Sequence, residues 1–203
     1  MTELKQPQKP SRLSLLRRAL IPLLYVSSLY ILGGLTSCNV LPWFDGEFIG
    51  EADVFGVNVR YSFPHDDLNY LSNRDGTRYV GMVVYEPLER GCNVLLRRSY
   101  FDEADADSLR TVVAHEVAHC LDKYVLEHTH NGFANEGCHY GDYWCKPNEG
   151  FANFYAHYMV DLCGSLAPVG WPLEEGQEAT CDALPHPSQA TPEQMMLSLQ
   201  KSL

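Results

Sequence analysis

Basic residues are scarce in this sequence, and several common motifs are absent from it. Its 203 residues include 15 Lys and Arg against 26 Asp and Glu, a formal charge of -11. Because a nucleic-acid groove needs clustered positive charge, DNA and RNA are not expected as partners. No two of the seven cysteines form a CxxC pair, which excludes a zinc knuckle, and no internal repeat or low-complexity tract is present. The composition is that of a globular protein, and the length allows one ordinary domain behind a leader.

A basic and then apolar segment opens the chain. Five basic residues lie between Lys5 and Arg18, and residues 19–35 are apolar except at four positions. This pattern is typical of a secretion signal. The segment ends in LTSC at 35–38, which resembles a bacterial lipobox, so the resemblance implies cleavage before Cys38 and attachment of lipid to its sulfur. The alternative is an uncleaved signal anchor, because the apolar run is near the lower limit of a membrane span.

This reading predicts three parts of the chain. Residues 1–37 are the lipoprotein signal peptide, residues 38–46 are a short linker after the lipidated cysteine, and residues 47–203 are a single domain. Removal of the signal takes away five basic residues and one acidic residue, which leaves a formal charge of -15. We expect the mature protein to be exported and lipid-anchored in a bacterial cell envelope, on the periplasmic or the outer face.

Cysteine usage agrees with export. Without the lipid-bearing cysteine an even set remains, which permits three disulfides in an oxidising compartment. The sequence cannot select one connectivity, and free buried thiols are the alternative. The pairing that we expect is Cys138 with Cys145, Cys163 with Cys181, and therefore Cys92 with Cys120.

Hydrophobic periodicity predicts strands first and helices later, an α+β fold. Alternation within 47–63 indicates a strand, with further strands at 79–85 and 93–99 and a tight turn at Asp75-Gly76. Because the connections are short, we expect antiparallel pairing in a small antiparallel or mixed sheet.

The second half of the chain has the signals of helices. Four acidic residues between 102 and 107 favour a long helix at about 107–126, and a second helix is predicted at about 148–163. Residues 127–147 lack a period and are predicted to form a loop. Residues 191–194 read TPEQ, a capping box that opens a short terminal helix.

The strongest motif is HEVAH at 115–119, an HExxH pattern inside the first long helix. His115 and His119 lie one turn apart, so both imidazoles can reach one metal ion. The opposite side of this helix is apolar. Asp122 falls on the polar side, where it orients a neighbouring ligand or pairs with a basic residue.

A hydrolytic zinc site needs a third protein ligand and an open position. The extended HExxHxxGxxH pattern is absent, and the better candidate is Glu149, thirty residues after His119 at the start of the second helix. Two alanines on the same face would let the helices approach closely, and Asn153 is placed to accept the free imidazole N–H of a ligand. A helix N-terminal acid favoured by the dipole is the other interpretation of Glu149. The reserve ligands are His128, His130, His139, Asp142, His157 and His186.

HEVAH together with the downstream Glu-x-Phe-Ala resembles the gluzincin metallopeptidases, in particular the lethal-factor-like and Pro-Pro endopeptidase-like catalytic domains. The resemblance covers about residues 92–163 and implies a zincin-like fold. It implies one Zn²⁺ at His115, His119 and Glu149, with Glu116 as the general base. In that branch a tyrosine before the glutamate stabilises the oxyanion, and here Tyr143 is the candidate, with Tyr140 or His157 as substitutes.

The sequence therefore predicts a zinc metalloendopeptidase of the cell envelope that acts as a monomer on a peptide or protein. The strand at 93–99 is expected to form the rim of the cleft and to pair with an extended substrate. One alternative is a non-catalytic zinc-binding lipoprotein, which has no need of Glu116 as a base. The other is a metal-free binding module in which HEVAH occurs by coincidence.

Overall fold

A computed structural model of the chain describes residues 46–65, 71, 78–172, 181 and 183–202. The predicted signal peptide at 1–37, the lipidated Cys38, nearly all of the linker and the turn at Asp75-Gly76 lie outside these residues. Within the described part, the protein is a mixed α+β fold whose small sheet precedes the main helices, as predicted.

Four strands form one sheet in the described part of the chain. The alternation that predicted a single strand at 47–63 belongs to a hairpin, since Phe55 and Gly56 both have positive φ (55° and 74°), the backbone of a tight turn. On its second strand Val57, Val59 and Tyr61 are fully buried, which confirms the inward face. The strands are β1 Gly46–Val54, β2 Val57–Pro64, β3 Gly81–Tyr85 and β4 Gly91–Leu96.

The strand order β1-β2-β4-β3 makes the sheet mixed. β1 pairs antiparallel with β2, and β3 antiparallel with β4, but β4 runs parallel to β2. The β2–β4 pair departs from the expected antiparallel pairing, and the mixed sheet that the sequence analysis also allowed is confirmed. β3 runs opposite to β2 but is not its neighbour in the sheet. β4 lies between β2 and β3, so it is antiparallel to β3 and parallel to β2.

This order also corrects the predicted rim strand. The strand expected at 93–99 is β4, which has a neighbour on each side, so its backbone groups are already paired. The two edge strands of the described sheet are β1 and β3, and β3 lies beside the helix that contains HEVAH.

Four α-helices follow the sheet strands in the described residues. The two long helices agree with the predictions to within two residues, and the short first helix was not predicted. Asp105 caps the first long helix by accepting the backbone N–H of Ser108 at 2.9 Å. None of the helices in the described residues is long and apolar enough to cross a bilayer. The helices are α1 Arg98–Glu103, α2 Ala106–Tyr124, α3 Pro147–Cys163 and α4 Pro192–Ser202.

Helices α2 and α3 pack against each other, and the core lies between them and the sheet. Val113, Val117 and Leu121 form the fully buried apolar side that was predicted for α2. On α3 burial extends around the whole first half, from Gly150 to Ala156, because both the alanine side and the aromatic side have packing partners.

The six described cysteines pair as predicted. Cys92–Cys120 joins β4 to α2, Cys138–Cys145 closes a loop before α3, and Cys163–Cys181 ties down the end of α3.

Candidate metal centre

Helix geometry brings the two histidines of HEVAH together. His115 and His119 are four residues apart on α2, and their Nε2 atoms lie 3.1 Å from each other. The two rings are nearly perpendicular, with centroids 4.7 Å apart. Both side chains are largely buried, so their nitrogens point to one shared volume and not to bulk solvent.

Glu149 reaches the same volume from the first turn of α3. Its Oε2 lies 3.4 Å from Nε2 of His115 and 3.3 Å from Nε2 of His119. The other carboxylate oxygen, Oε1, accepts a hydrogen bond from the side chain of Asn148 at 3.1 Å.

The donor set fits a metal ion. One atom from each of the three side chains lies within 4.8 Å of the others, and Glu149 Oε2 is buried without a hydrogen-bond partner among the described residues. A buried anionic oxygen in that position is costly unless a cation satisfies it. Two imidazoles and a carboxylate therefore form a group that could bind a metal ion.

Metal ligation needs neutral imidazole and ionised carboxylate, and the pKa shifts of His115 and Glu149 favour these forms, whereas the shift of His119 does not. Burial lowers the pKa of His115. Burial would raise the pKa of Glu149, but its interactions with His115, His119 and Tyr143 lower it well below the ordinary value. For His119, burial lowers the pKa while the neighbouring Glu149 raises it, and the net change is upward.

Glu116 lies next to the three potential ligands and is only 8% exposed. Burial raises its pKa to about 7, an effect that Glu149 reinforces and His119 opposes. The carboxylate packs against β3 at Gly81, where a Cβ atom would lie only 2.7 Å from Glu116 Oε1. A glycine at this position of β3 is thus required for the observed position of Glu116.

Two cavities open beside this group. One, of about 450 Å³, contains the three potential ligands and Glu116. The other, of about 240 Å³, has apolar walls from Val80, Val112 and Trp144. Both cavities share the residues Tyr79, Gly81, His115, Glu116 and Tyr143.

Of the three candidate oxyanion donors, the structure brings Tyr143 to the wall of both cavities. Tyr143 is 47% exposed, and burial together with its interaction with Glu149 raises its pKa. Tyr140 instead packs edge-on against Phe154, with ring centroids 5.3 Å apart. His157 lies near His115, since burial and the charge of His115 both lower its pKa.

Asn153 and Asp122, which the sequence analysis considered as partners of the ligands, have different surroundings. Asn153 is buried and lines the smaller cavity beside His115. Asp122 is 2% exposed and accepts two hydrogen bonds from His130, from Nδ1 at 2.7 Å and from the backbone N–H at 3.0 Å. Asp122 thus contacts His130, an imidazole outside the His-His-Glu group.

Sequence reasoning missed the contribution of β3 and of Trp144. The Trp144 ring packs edge-on against the His115 ring, with the ring centroids 5.9 Å apart. Tyr85 faces the larger cavity, and burial together with the carboxylates of Asp122, Glu116 and Glu149 raises its pKa to about 12. The strand period was a partial signal, because four alternate residues of this segment line that cavity: Tyr79, Gly81, Val83 and Tyr85. Met82, which lies between them, lines it as well.

The fold and the site define a mixed α+β protein with a largely buried His-His-Glu group that could bind a metal ion. A scan against protein-family models and searches of curated proteins and of solved structures found no match.

Proposed function

We propose that this protein is a zinc-dependent metalloendopeptidase with a zincin-like fold of the gluzincin type, similar to lethal-factor-like and Pro-Pro endopeptidase-like catalytic domains. The observation that carries the proposal is the convergence of His115, His119 and Glu149 next to the buried carboxylate of Glu116. A purely structural metal site has no use for a fourth, uncoordinated acid at this position.

His115, His119 and Glu149 would hold a single Zn²⁺. Two imidazoles and one carboxylate are a typical catalytic zinc set, because three protein ligands leave a position open. When bound, the ion supplies Lewis-acid polarisation of the scissile carbonyl and of the attacking water.

Glu116 acts as the general base and then as the general acid. It takes a proton from the water whose oxygen attacks the carbonyl carbon, and it passes this proton to the nitrogen of the leaving amine as the C–N bond breaks. Its pKa of about 7 suits both roles near neutral pH, since proton transfer in either direction costs little there.

Tyr143 donates its hydroxyl proton in a hydrogen bond to the tetrahedral oxyanion. Its place on the wall of both cavities and its interaction with Glu149 support this role. An extended peptide would pair with β3, whose outer side is an edge in the described sheet.

We also propose that the protein is an exported envelope lipoprotein, a monomer attached to the membrane by lipid on Cys38. The three disulfides support export, because they persist in oxidising compartments. Palmitate should label the wild type but not a Cys38→Ser variant, and equal labelling of the two would overturn this part of the proposal.

The decisive experiment is cleavage of a peptide library by the full chain with Zn²⁺, with a chelator, and with Glu116→Gln. The variant should retain one zinc and lose at least about 10³-fold in kcat, because the base is removed and the ligands remain. The matched control is Glu89→Gln, an exposed acid in the turn between β3 and β4, which should cleave like the wild type.

Zinc binding without cleavage by the wild type would favour the non-catalytic zinc-binding lipoprotein. Absence of zinc binding would leave the metal-free binding module.

A further inference from the structure

A short covalent loop presents two residues to the metal centre. Cys138 and Cys145 are seven positions apart and are joined by a disulfide, with their Cα atoms at 4.1 Å. Tyr143 and Trp144 lie inside this loop, directly before its second cysteine. The loop leads into α3, whose first turn contains Glu149.

Trp144 is held on several sides. Its ring packs on His115 on one side and on Tyr143 on another, with the two aromatic centroids 4.8 Å apart. Its carbonyl oxygen lies so close to Gly137 and Gly150 that a Cβ atom there would be 2.0 Å and 2.8 Å away. The backbone at Trp144 therefore sits in a narrow space between the two ends of the loop.

Non-covalent contacts hold Tyr143 on part of its surface, since its ring packs against Trp144 and lies 5.2 Å from Lys146 Nζ. Tyr143 is nearly half exposed, and the backbone hydrogen bonds around it measure 3.1 Å for Trp144 N–H to Gly141 O and 3.3 Å for Lys146 N–H to Tyr143 O. A 3-10 turn, Glu136–Tyr140, covers the start of the loop, and after it Gly141 has a φ of 126° and residues 141–145 belong to no helix or strand. The Cys138–Cys145 bond adds a covalent restraint that fixes both ends of the segment containing this half-exposed tyrosine.

We infer that the Cys138–Cys145 disulfide is a positioning element of the metal centre, which holds Tyr143 at the cleft so that its hydroxyl can reach the reacting carbonyl. The inference rests on the proposed function. It separates this disulfide from the others, because Cys92 and Cys120 are fully buried in the core and Cys163–Cys181 lies at the far end of α3.

The test is the pair variant Cys138→Ser/Cys145→Ser, which leaves no unpaired thiol. We expect kcat to fall about tenfold to a hundredfold, because a small displacement of a donor is enough to lose its contribution. KM should change less than about threefold, zinc content should stay at one, and backbone hydrogen exchange should rise at residues 138–146. The matched control, Cys163→Ser/Cys181→Ser, should retain kcat when assayed at a temperature at which it is folded.

A double-mutant cycle with Tyr143→Phe distinguishes positioning from general destabilisation. If the disulfide acts through Tyr143, the pair variant should lower kcat by less than about twofold in the Tyr143→Phe background. Equal losses in both backgrounds, or an equal loss in the control pair, would overturn the inference.

Should the pair variant not fold, the bond can be opened in the folded protein. Dithiothreitol gives up two electrons and two protons to form its cyclic disulfide, and the two cysteine thiols that result are capped with iodoacetamide. Mass spectrometry confirms that only Cys138 and Cys145 are capped, and the same fall in kcat is expected.

Hydrogen exchange keeps this inference separate from the proposed function. If the wild type with zinc cleaves no peptide, the peptidase proposal fails, whereas unchanged exchange at 138–146 after the bond is opened refutes the positioning role whatever the activity.

Discussion

Gly81 sets how closely the carboxylate of Glu116 can approach β3. The carboxylate of Glu116 occupies the space that any larger residue on β3 would fill, and Glu116 is buried, so it cannot swing freely into solvent. The position of the Glu116 carboxylate thus depends on a residue 35 places earlier in the chain.

Gly81→Ala should lower kcat at least about tenfold with zinc content unchanged, since the added Cβ displaces the carboxylate and not the ligands. Steady-state kinetics and metal analysis check this. Gly50→Ala is the matched control, because its Cβ would meet its nearest neighbour at 3.4 Å, an ordinary contact. Wild-type kinetics in Gly81→Ala would show that Glu116 is not the base or does not need this position.

The raised pKa of Glu116 makes the metal-free protein sensitive to pH. A carboxyl whose pKa rises from 4.5 to about 7 on folding binds its proton more tightly in the folded state. Its stabilising contribution is therefore complete below pH 4.5 and is lost as the pH rises through 7. The pH dependence from Glu149 has the opposite sign. Because its pKa is lowered on folding, Glu149 stabilises the folded state at a pH above its ordinary pKa of 4.5, and this stabilisation is lost as the pH falls.

Relative to Glu116→Gln, the metal-free wild type should lose about 3 kcal/mol of unfolding free energy between pH 4.5 and pH 7. Urea denaturation in the presence of a chelator measures both proteins. A difference between them that stays constant over this interval would mean that Glu116 titrates normally.

At the scale of elements, the two long helices contribute to the site in different ways. Helix α2 supplies both imidazoles from its own geometry, so local helix formation is enough to pair them. Helix α3 supplies Glu149 only because its alanine side packs on α2, and this is a tertiary contact. The alanine pattern predicted that approach, and the burial of Ala152 and Ala156 agrees with it.

Helix α4 supports α3 from outside and depends on its cap. Thr191 and Gln194 form the predicted capping box, with Gln194 Oε1 accepting the Thr191 N–H at 2.9 Å and Thr191 Oγ1 accepting the Gln194 N–H at 3.2 Å. Met195 and Leu199 then pack into the core.

Thr191→Ala should lower the unfolding free energy by about 1 kcal/mol, since one N-terminal donor loses its partner. Denaturant midpoints measure the effect. Thr129→Ala is the control, because this exposed threonine precedes a short 3-10 turn without a side-chain cap and should be close to neutral. Similar losses in the two variants would mean that the box is not what stabilises α4.

At the scale of the whole molecule, a metal ion would connect parts of the chain that are far apart in sequence. It would link α2 to α3, while Cys92–Cys120 already links α2 to the sheet. Binding at the His-His-Glu group should therefore appear as stability of the whole domain.

Zn²⁺ at about a thousand times its Kd should raise the melting temperature of the metal-free protein by roughly 10 °C, from about 4 kcal/mol of linkage. Glu149→Ala should lose most of this shift, and Glu89→Ala should keep it. Calorimetry with and without zinc measures all three proteins. An equal shift in Glu149→Ala would place the metal elsewhere.

The primary structure determined the features that depend on neighbours along the chain. These are the two long helices, the capping box and the pairing of His115 with His119. Helix geometry and capping act over three or four residues, so the sequence alone is enough to predict them. Tertiary structure decided which strand forms the edge, that Gly81 makes room for Glu116, and that Tyr143 and Trp144 reach the site. Such contacts join residues tens of positions apart, and only the packing of the sheet against two helices brings them together.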